Sequence, residues 1–222
     1  MDNKLAEKHF NEGVNYYALG DHGNAVKAFL KAIEFNTDLI GAHRHLGYCY
    51  EAVGDYVKAA EILENVIKIK PEDYEAYNIL GVIFGKLKKF SVALVYLKKA
   101  IELNPNYADS YNNLGNVYSA LENYDGAINA YLKVIELRSE DSDICYNLGI
   151  VYQLSGKFEK AIESYLKTIE LNPKKTNAYY NLGLIYYDIK DDSLKTERIL
   201  EKLKSLDYDS YLELYNMINP KN

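Results

Sequence analysis

A glycine recurs every 34 residues, six times in register: Gly13, Gly47, Gly81, Gly115, Gly149 and Gly183. A single globular core has no reason to repeat at a fixed period. A stack of equal units does, because each unit buries its apolar face only against its neighbours. A mid-helix glycine costs about 1 kcal/mol relative to alanine. Six of them in one register therefore imply a close approach that a side chain would block.

With the glycine set as position 8 of each unit, other positions fall into line. Position 11 is Tyr16, Tyr50, Phe84, Tyr118, Tyr152 and Tyr186. Position 7 is Leu46, Leu80, Leu114, Leu148 and Leu182, with Glu12 in the first unit. Position 20 is Ala25, Ala59, Ala93, Ala127 and Ala161, and position 24 is Phe29, Leu63, Leu97, Tyr131 and Tyr165. Positions 4, 7, 8 and 11 have the i, i+3, i+4, i+7 spacing of one helix face. Positions 20, 24 and 27 form a second helical stripe. Gly20-Asp21, Gly54-Asp55, Glu122-Asn123 and Gly156-Lys157 supply turn chemistry between the stripes. Pro71, Pro105 and Pro173 at position 32 close the second helix.

This unit resembles the tetratricopeptide repeat, a 34-residue helix–turn–helix with the same small and large positions. Tyr111-Asn112-Asn113-Leu114-Gly115-Asn116-Val117-Tyr118 and Tyr179-Tyr180-Asn181-Leu182-Gly183-Leu184-Ile185-Tyr186 carry it most clearly. Position 4, Trp in many members, is His9, His43, Tyr77, Tyr111, Cys145 and Tyr179, in a chain without Trp. The resemblance implies an all-α fold, a right-handed α-solenoid of antiparallel helix pairs. It implies one domain over 1–222, with repeats at 6–39, 40–73, 74–107, 108–141, 142–175 and 176–207. In the last repeat positions 20 and 27 become Lys195 and Lys202. One extra residue near Asp191-Asp192 restores the phase and gives Thr196, Leu200, Leu203 and Leu206 as the inward stripe. A capping helix is expected over 209–218, with Asp209 or Ser210 as its N-cap.

Charge and motifs exclude several classes. The net charge is −6, and neither half is basic, so nucleic acid is not an expected partner. The strict period of 34 also separates the chain from the 35-residue RNA-reading repeats. No apolar run approaches the roughly 18 residues of a membrane helix. The opening Met1-Asp2-Asn3-Lys4-Leu5-Ala6 lacks a signal-peptide core. Cys49 and Cys145 read as buried thiols in a reducing compartment, so a cytoplasmic location is the expectation. No phosphate-cradling loop, dinucleotide fingerprint, HExxH, CxxC or GxSxG is present. The chain is read as non-enzymatic, with no metal and no cofactor. His9 and His43 share position 4 and read as packing residues. Twelve tyrosines at positions 4, 11, 17 and 24 are assigned to the repeat core.

In the family that this chain resembles, the first helices line a concave groove that binds peptides or partner helices. That resemblance places Arg44, Tyr48, Asn78, Asn112, Asn113, Asn116, Tyr146, Asn147, Tyr180, Asn181 and Tyr187 in the groove. Asn113, Asn147 and Asn181 share position 6. They form a ladder that either holds an extended peptide backbone or is repeat consensus. The ladder resembles that in the repeat region of O-linked N-acetylglucosamine transferases. Carboxylates at Glu7, Glu51, Glu75, Asp109, Asp143 and Asp188 outnumber Arg44 and Lys86 there. A neutral to basic protein or peptide partner is expected. Phe10 and Val14 leave no clamp for a C-terminal carboxylate. Tyr211, Leu212, Leu214, Tyr215, Met217 and Ile218 are too many apolar groups for one buried face. They make either a greasy cap or a surface for self-association or another subunit. The leading expectation is a peptide-binding scaffold; the alternative is an array that assembles through its C-terminus.

Overall fold

The computed structural model describes residues 2–139, 141–189 and 192–220. Among the described residues it contains thirteen α-helices and no strand. The chain divides into two compact units, Met1–Val117 and Tyr118–Asn222. Unit one holds the antiparallel pairs α1 (Asp2–Ala18) and α2 (His22–Phe35), α3 (Ile40–Ala52) and α4 (Tyr56–Ile69), and α5 (Tyr74–Lys86) and α6 (Phe90–Leu103). It ends within α7 (Ala108–Ala120). Unit two holds α8 (Tyr124–Leu137), the pair α9 (Ser142–Leu154) and α10 (Phe158–Leu171), the pair α11 (Thr176–Asp188) and α12 (Ser193–Leu206), and a closing helix α13 (Tyr208–Ile218).

The recurring glycine is a contact point. A Cβ at Gly13 would stand 2.6 Å from the Phe29 ring. At Gly47 it would stand 2.8 Å from Leu63, at Gly81 2.5 Å from Leu97, and at Gly149 2.5 Å from Tyr165. In each pair, the residue sixteen places on fills the space that the missing side chain leaves. Phe29, Leu63, Leu97 and Tyr165 are fully buried, as are Ala25, Ala59, Ala93 and Ala161 one turn earlier.

The turns repeat as strictly. Gly20, Gly54 and Gly156 are left-handed, with φ of 76°, 81° and 73°. Lys88 and Glu122 stand at the equivalent place and are forced to φ 57°, a conformation that costs a side chain roughly 1–2 kcal/mol. The next residue caps the second helix where it can. Asp21 accepts from the Asn24 N–H at 3.1 Å, Asp55 from Lys58 at 3.3 Å, and Asn123 from Gly126 at 3.1 Å. In the last pair this role moves to Asp192, which accepts from the Lys195 N–H at 3.0 Å. The turn from α11 to α12 has four residues where the others have three, although Lys190 and Asp191 lie outside the described residues. Thr196, Leu200 and Leu203 are buried and Lys195 is exposed. Lys195 lies 5.0 Å over the Tyr186 ring, as Lys58 lies over Tyr50 and Lys160 over Tyr152. The restored phase is therefore seen in the cap, the core and the cation–π contact.

Two expectations are corrected. α13 begins at Tyr208, and its N-cap is Asp207, whose carboxylate accepts from the Ser210 N–H at 3.2 Å and the Ser210 hydroxyl at 2.7 Å. Asp207 also ends α12. A single residue thus joins α12 to α13, where four residues join each earlier second helix to the next first helix. Tyr16 is exposed rather than core. Cys49 and Cys145 are buried, and burial pushes the Cys49 thiol up to about 11.

Candidate functional site

The first helices carry the candidate site. Position 5 of one repeat reaches position 6 of the next, 35 residues on. In unit one the Phe10 ring meets His45 edge-on at 5.2 Å, and Asn78 Oδ1 accepts from Asn113 Nδ2 at 3.0 Å. In unit two Asn181 Nδ2 donates to the Tyr146 hydroxyl at 3.3 Å. Two rungs of the asparagine ladder therefore hold neighbouring repeats together. Asn78 is only 6% exposed and also accepts from the Ser110 hydroxyl at 3.1 Å. It belongs to the packing between α5 and α7 rather than to an open surface. Asn147 is half-buried and makes no side-chain hydrogen bond among the described residues. The Asn112 amide oxygen is buried without a partner, and Asn116 is exposed.

Charge is more balanced than the groove count implied. Arg44 Nη1 donates to both oxygens of Asp73, at 3.2 and 2.9 Å, and Nη2 lies 2.8 Å from Glu75. The buried Asp73 in turn accepts from the Ala76 N–H as the N-cap of α5. Arg44 thus fastens α3 to the start of α5 and is not free to meet a ligand. Lys86 is 2.6 Å from Glu51, and Lys175 is 2.6 Å from Asp143. Three of the six groove carboxylates are neutralised within the chain, so the expected excess of acid on this face shrinks.

Aromatic groups are held in place. In unit one Tyr48 is half-buried between Tyr17, 6.3 Å away, and His45, 6.0 Å away. Burial, reinforced by the Glu75 carboxylate, pushes its phenol up to about 12, so it stays neutral. Tyr48, one of the expected groove residues, clusters there with Phe10, Phe29 and His45. In unit two the Tyr146 ring lies 5.8 Å from Tyr165, with Lys175 5.4 Å over its face. Tyr165 donates to Gln153 Oε1 at 2.7 Å and accepts from Asn181 at 3.2 Å. Burial raises its phenol well above the ordinary tyrosine range. Tyr180 donates to Glu213 of α13 at 3.0 Å, and Tyr187 donates to the Ile218 carbonyl at 3.3 Å.

The C-terminal set is split by the structure. Leu214 is 0% exposed and approaches the Cβ position of Gly183 to 2.7 Å. It plugs the fold and offers nothing to a partner. Tyr211, Leu212 and Ile218 are half-buried. Tyr215 and Met217 remain exposed, at 42% and 51%, joined by Tyr208 at 56%.

Sequence profiles of the tetratricopeptide repeat match residues 6–38, 42–74, 74–107, 96–129, 115–156 and 154–189. Together they run from α1 to α11 almost without interruption. The chain is a tetratricopeptide-repeat protein. No curated protein matches it. Among solved structures it is similar to MamA protein, with a TM-score of 0.64 and 28% identity over 78% of this chain and 95% of that one. A thermophilic tetratricopeptide protein of Thermus thermophilus matches with a TM-score of 0.67 and 24% identity, over 78% of this chain and 94% of the other. PilF of Pseudomonas aeruginosa shares the fold over 97% of this chain and 99% of its own, with a TM-score of 0.82 and 17% identity. The family and the fold make this tetratricopeptide chain a protein-interaction scaffold in the general sense. No helix among the described residues is long and apolar enough to cross a membrane. No cluster of three metal-ligating side chains occurs among them.

Proposed function

We propose that the first-helix face of α9 and α11 binds an extended protein segment. The observation that carries this reading is Asn147. It is the ladder amide with no side-chain hydrogen bond among the described residues, and α9 and α11 also carry rings that internal contacts already fix, Tyr146 and Tyr180. An amide offers two donors and an acceptor, which suits the backbone of a peptide. Rings fixed before binding lose little side-chain freedom on contact. Half-buried Ile150 and Leu184 and exposed Leu154 add apolar contact on the same helices. Because Glu51, Glu75 and Asp143 are neutralised internally, the preferred segment is neutral to mildly basic rather than strongly basic; we also propose a cytoplasmic location. Peptides selected on the full chain from a random display library should bind several-fold more weakly after Asn147→Ala. Asn113→Ala and Asn181→Ala should instead lower stability, because they cut repeat-to-repeat bonds. Peptides insensitive to Asn147→Ala but lost on Leu166→Ala, on the second-helix face, would refute this reading.

A second reading rests on α13. Tyr208, Tyr211 and Tyr215 form a staircase of rings 5.5 and 5.6 Å apart, and Tyr208, Tyr215 and Met217 are exposed. Such a patch suits association with another copy or subunit. Sedimentation of the chain and of a Tyr215→Glu, Met217→Glu variant decides it. A concentration-dependent mass lost in the variant supports it, and a monomer in both excludes self-association.

A further inference from the structure

The one-residue connection between α12 and α13 has a consequence at the far end of the closing helix. Leu214 seats α13 against Gly183, but beyond it α13 leaves a cavity of about 280 Å³ above the start of α12. Its floor is Leu200 and Thr196, both buried. The Thr196 hydroxyl is turned away, donating to the Asp192 carbonyl at 2.9 Å. Its walls are Tyr187 and Tyr215, each 42% exposed, and Ile218, Ser193 and Asn219 complete its neutral lining. Tyr187 is fixed by its bond to the Ile218 carbonyl.

One charged side chain lines the cavity: Glu197. Arg198, the next residue in sequence, does not line the cavity, and Lys195 is engaged elsewhere. Its Nζ is 3.0 Å from Asp192 and lies over Tyr186. The positive end of the α12 dipole, which would disfavour a cation, is met by the Asp192 carboxylate at the N-cap.

An apolar floor, two aromatic faces and a single carboxylate match one kind of side chain. Lysine and arginine carry an apolar stem that packs on such a floor while the charged head seeks a carboxylate. Aromatic faces attract the same head through their quadrupole. A phenyl or aliphatic side chain would gain nothing from the exposed Glu197 carboxylate, and an anion would be repelled by it. We propose that this cavity receives a lysine or arginine side chain of a partner protein segment. Tyr187 belongs both to the first-helix face and to this cavity, so the inference rests on the proposed binding of a segment along that face and locates its basic residue.

The test uses the full-length chain and capped tripeptides with lysine, arginine or norleucine at the centre. Ring signals of Tyr187 and Tyr215, assigned by single Tyr→Phe variants, are followed by NMR. The lysine and arginine peptides should shift both rings saturably, and norleucine should bind roughly five-fold more weakly, the loss of one cation–π and carboxylate contact. Glu197→Gln should weaken lysine binding part of the way to the norleucine value, because the rings remain. Equal binding of lysine and norleucine, or unmoved rings, overturns the proposal. Binding that appears only in a Lys221→Gln variant assigns the cavity to the chain's own tail and also overturns it. Peptides that depend on Asn147 but ignore Glu197 would sink this inference alone and leave the first-helix reading standing.

Discussion

Gly149→Ala joins the fold to the candidate site in one substitution. The added methyl would lie 2.5 Å from Tyr165 Cε1, 2.6 Å from Cδ1 and 3.0 Å from Cζ. Carbon atoms rest at about 3.5–4.0 Å, so the ring must move by about 1 Å in a site where it is fully buried. Overpacking of this kind costs roughly 1–3 kcal/mol. The displaced hydroxyl also strains its bonds to Gln153 and Asn181, each worth about 1 kcal/mol. The better helix propensity of alanine returns about 1 kcal/mol. The balance is a loss of about 2–3 kcal/mol, a urea midpoint lowered by about 1 M for a slope near 2–3 kcal/mol/M. Gly23→Ala is the control. It too is helical, but its Cβ would meet nothing nearer than 3.8 Å, so it should be neutral or stabilising by about 0.5 kcal/mol. Urea unfolding followed by far-ultraviolet circular dichroism reads both. If Gly149→Ala is as stable as the parent chain, the close-approach account of the 34-residue glycine is wrong.

Three further outcomes follow from the same structure. Lys88→Gly and Glu122→Gly relieve left-handed turns and should each raise the thermal midpoint, by an amount equivalent to about 0.5–1 kcal/mol; a fall in either refutes the strain. Arg44→Ala leaves the buried Asp73 carboxylate without its bidentate partner and should cost about 2–3 kcal/mol, with Arg44→Lys restoring little of it; chemical denaturation measures both. Burial pushes the Tyr131 phenol up to about 12 against an unfolded value near 10. A raised native value means stability that is full below about pH 10 and lost as pH rises toward 12, of the order of 2–3 kcal/mol for this group; a stability difference between the parent chain and Tyr131→Phe that stays constant from about pH 9 to about pH 12 would contradict it.

The period carried most of the fold. Glycine 8 and its partner sixteen residues on, the left-handed turn and the slip before Ser193 are all visible in the sequence, because each depends on contacts inside one helix pair. The site was less legible because it depends on contacts between pairs. The sequence puts Asn113, Asn147 and Asn181 in one row. It does not say that Asn78 and Tyr146, at position 5, take up the amides of Asn113 and Asn181 while Asn147 is left open. Arg44 shows the same limit. Its two carboxylate partners lie 29 and 31 residues away, so it reads as a groove cation until Asp73 and Glu75 are seen to enclose it. In α13, seven apolar residues offer several possible inward faces. The single-residue connection at Asp207 selects the one that buries Leu214.

If α9 and α11 carry the working face, a partner must lie against them rather than against the second helices. Photo-reactive phenylalanine placed one at a time at Ile150 and Leu154 of α9 and at Asn177 and Leu184 of α11, and at the exposed second-helix residues Leu30, Val57, Val95 and Leu132, tests this in the native cell. The first-helix set should capture one common protein and the second-helix set should not. Capture from the second-helix set alone would contradict it.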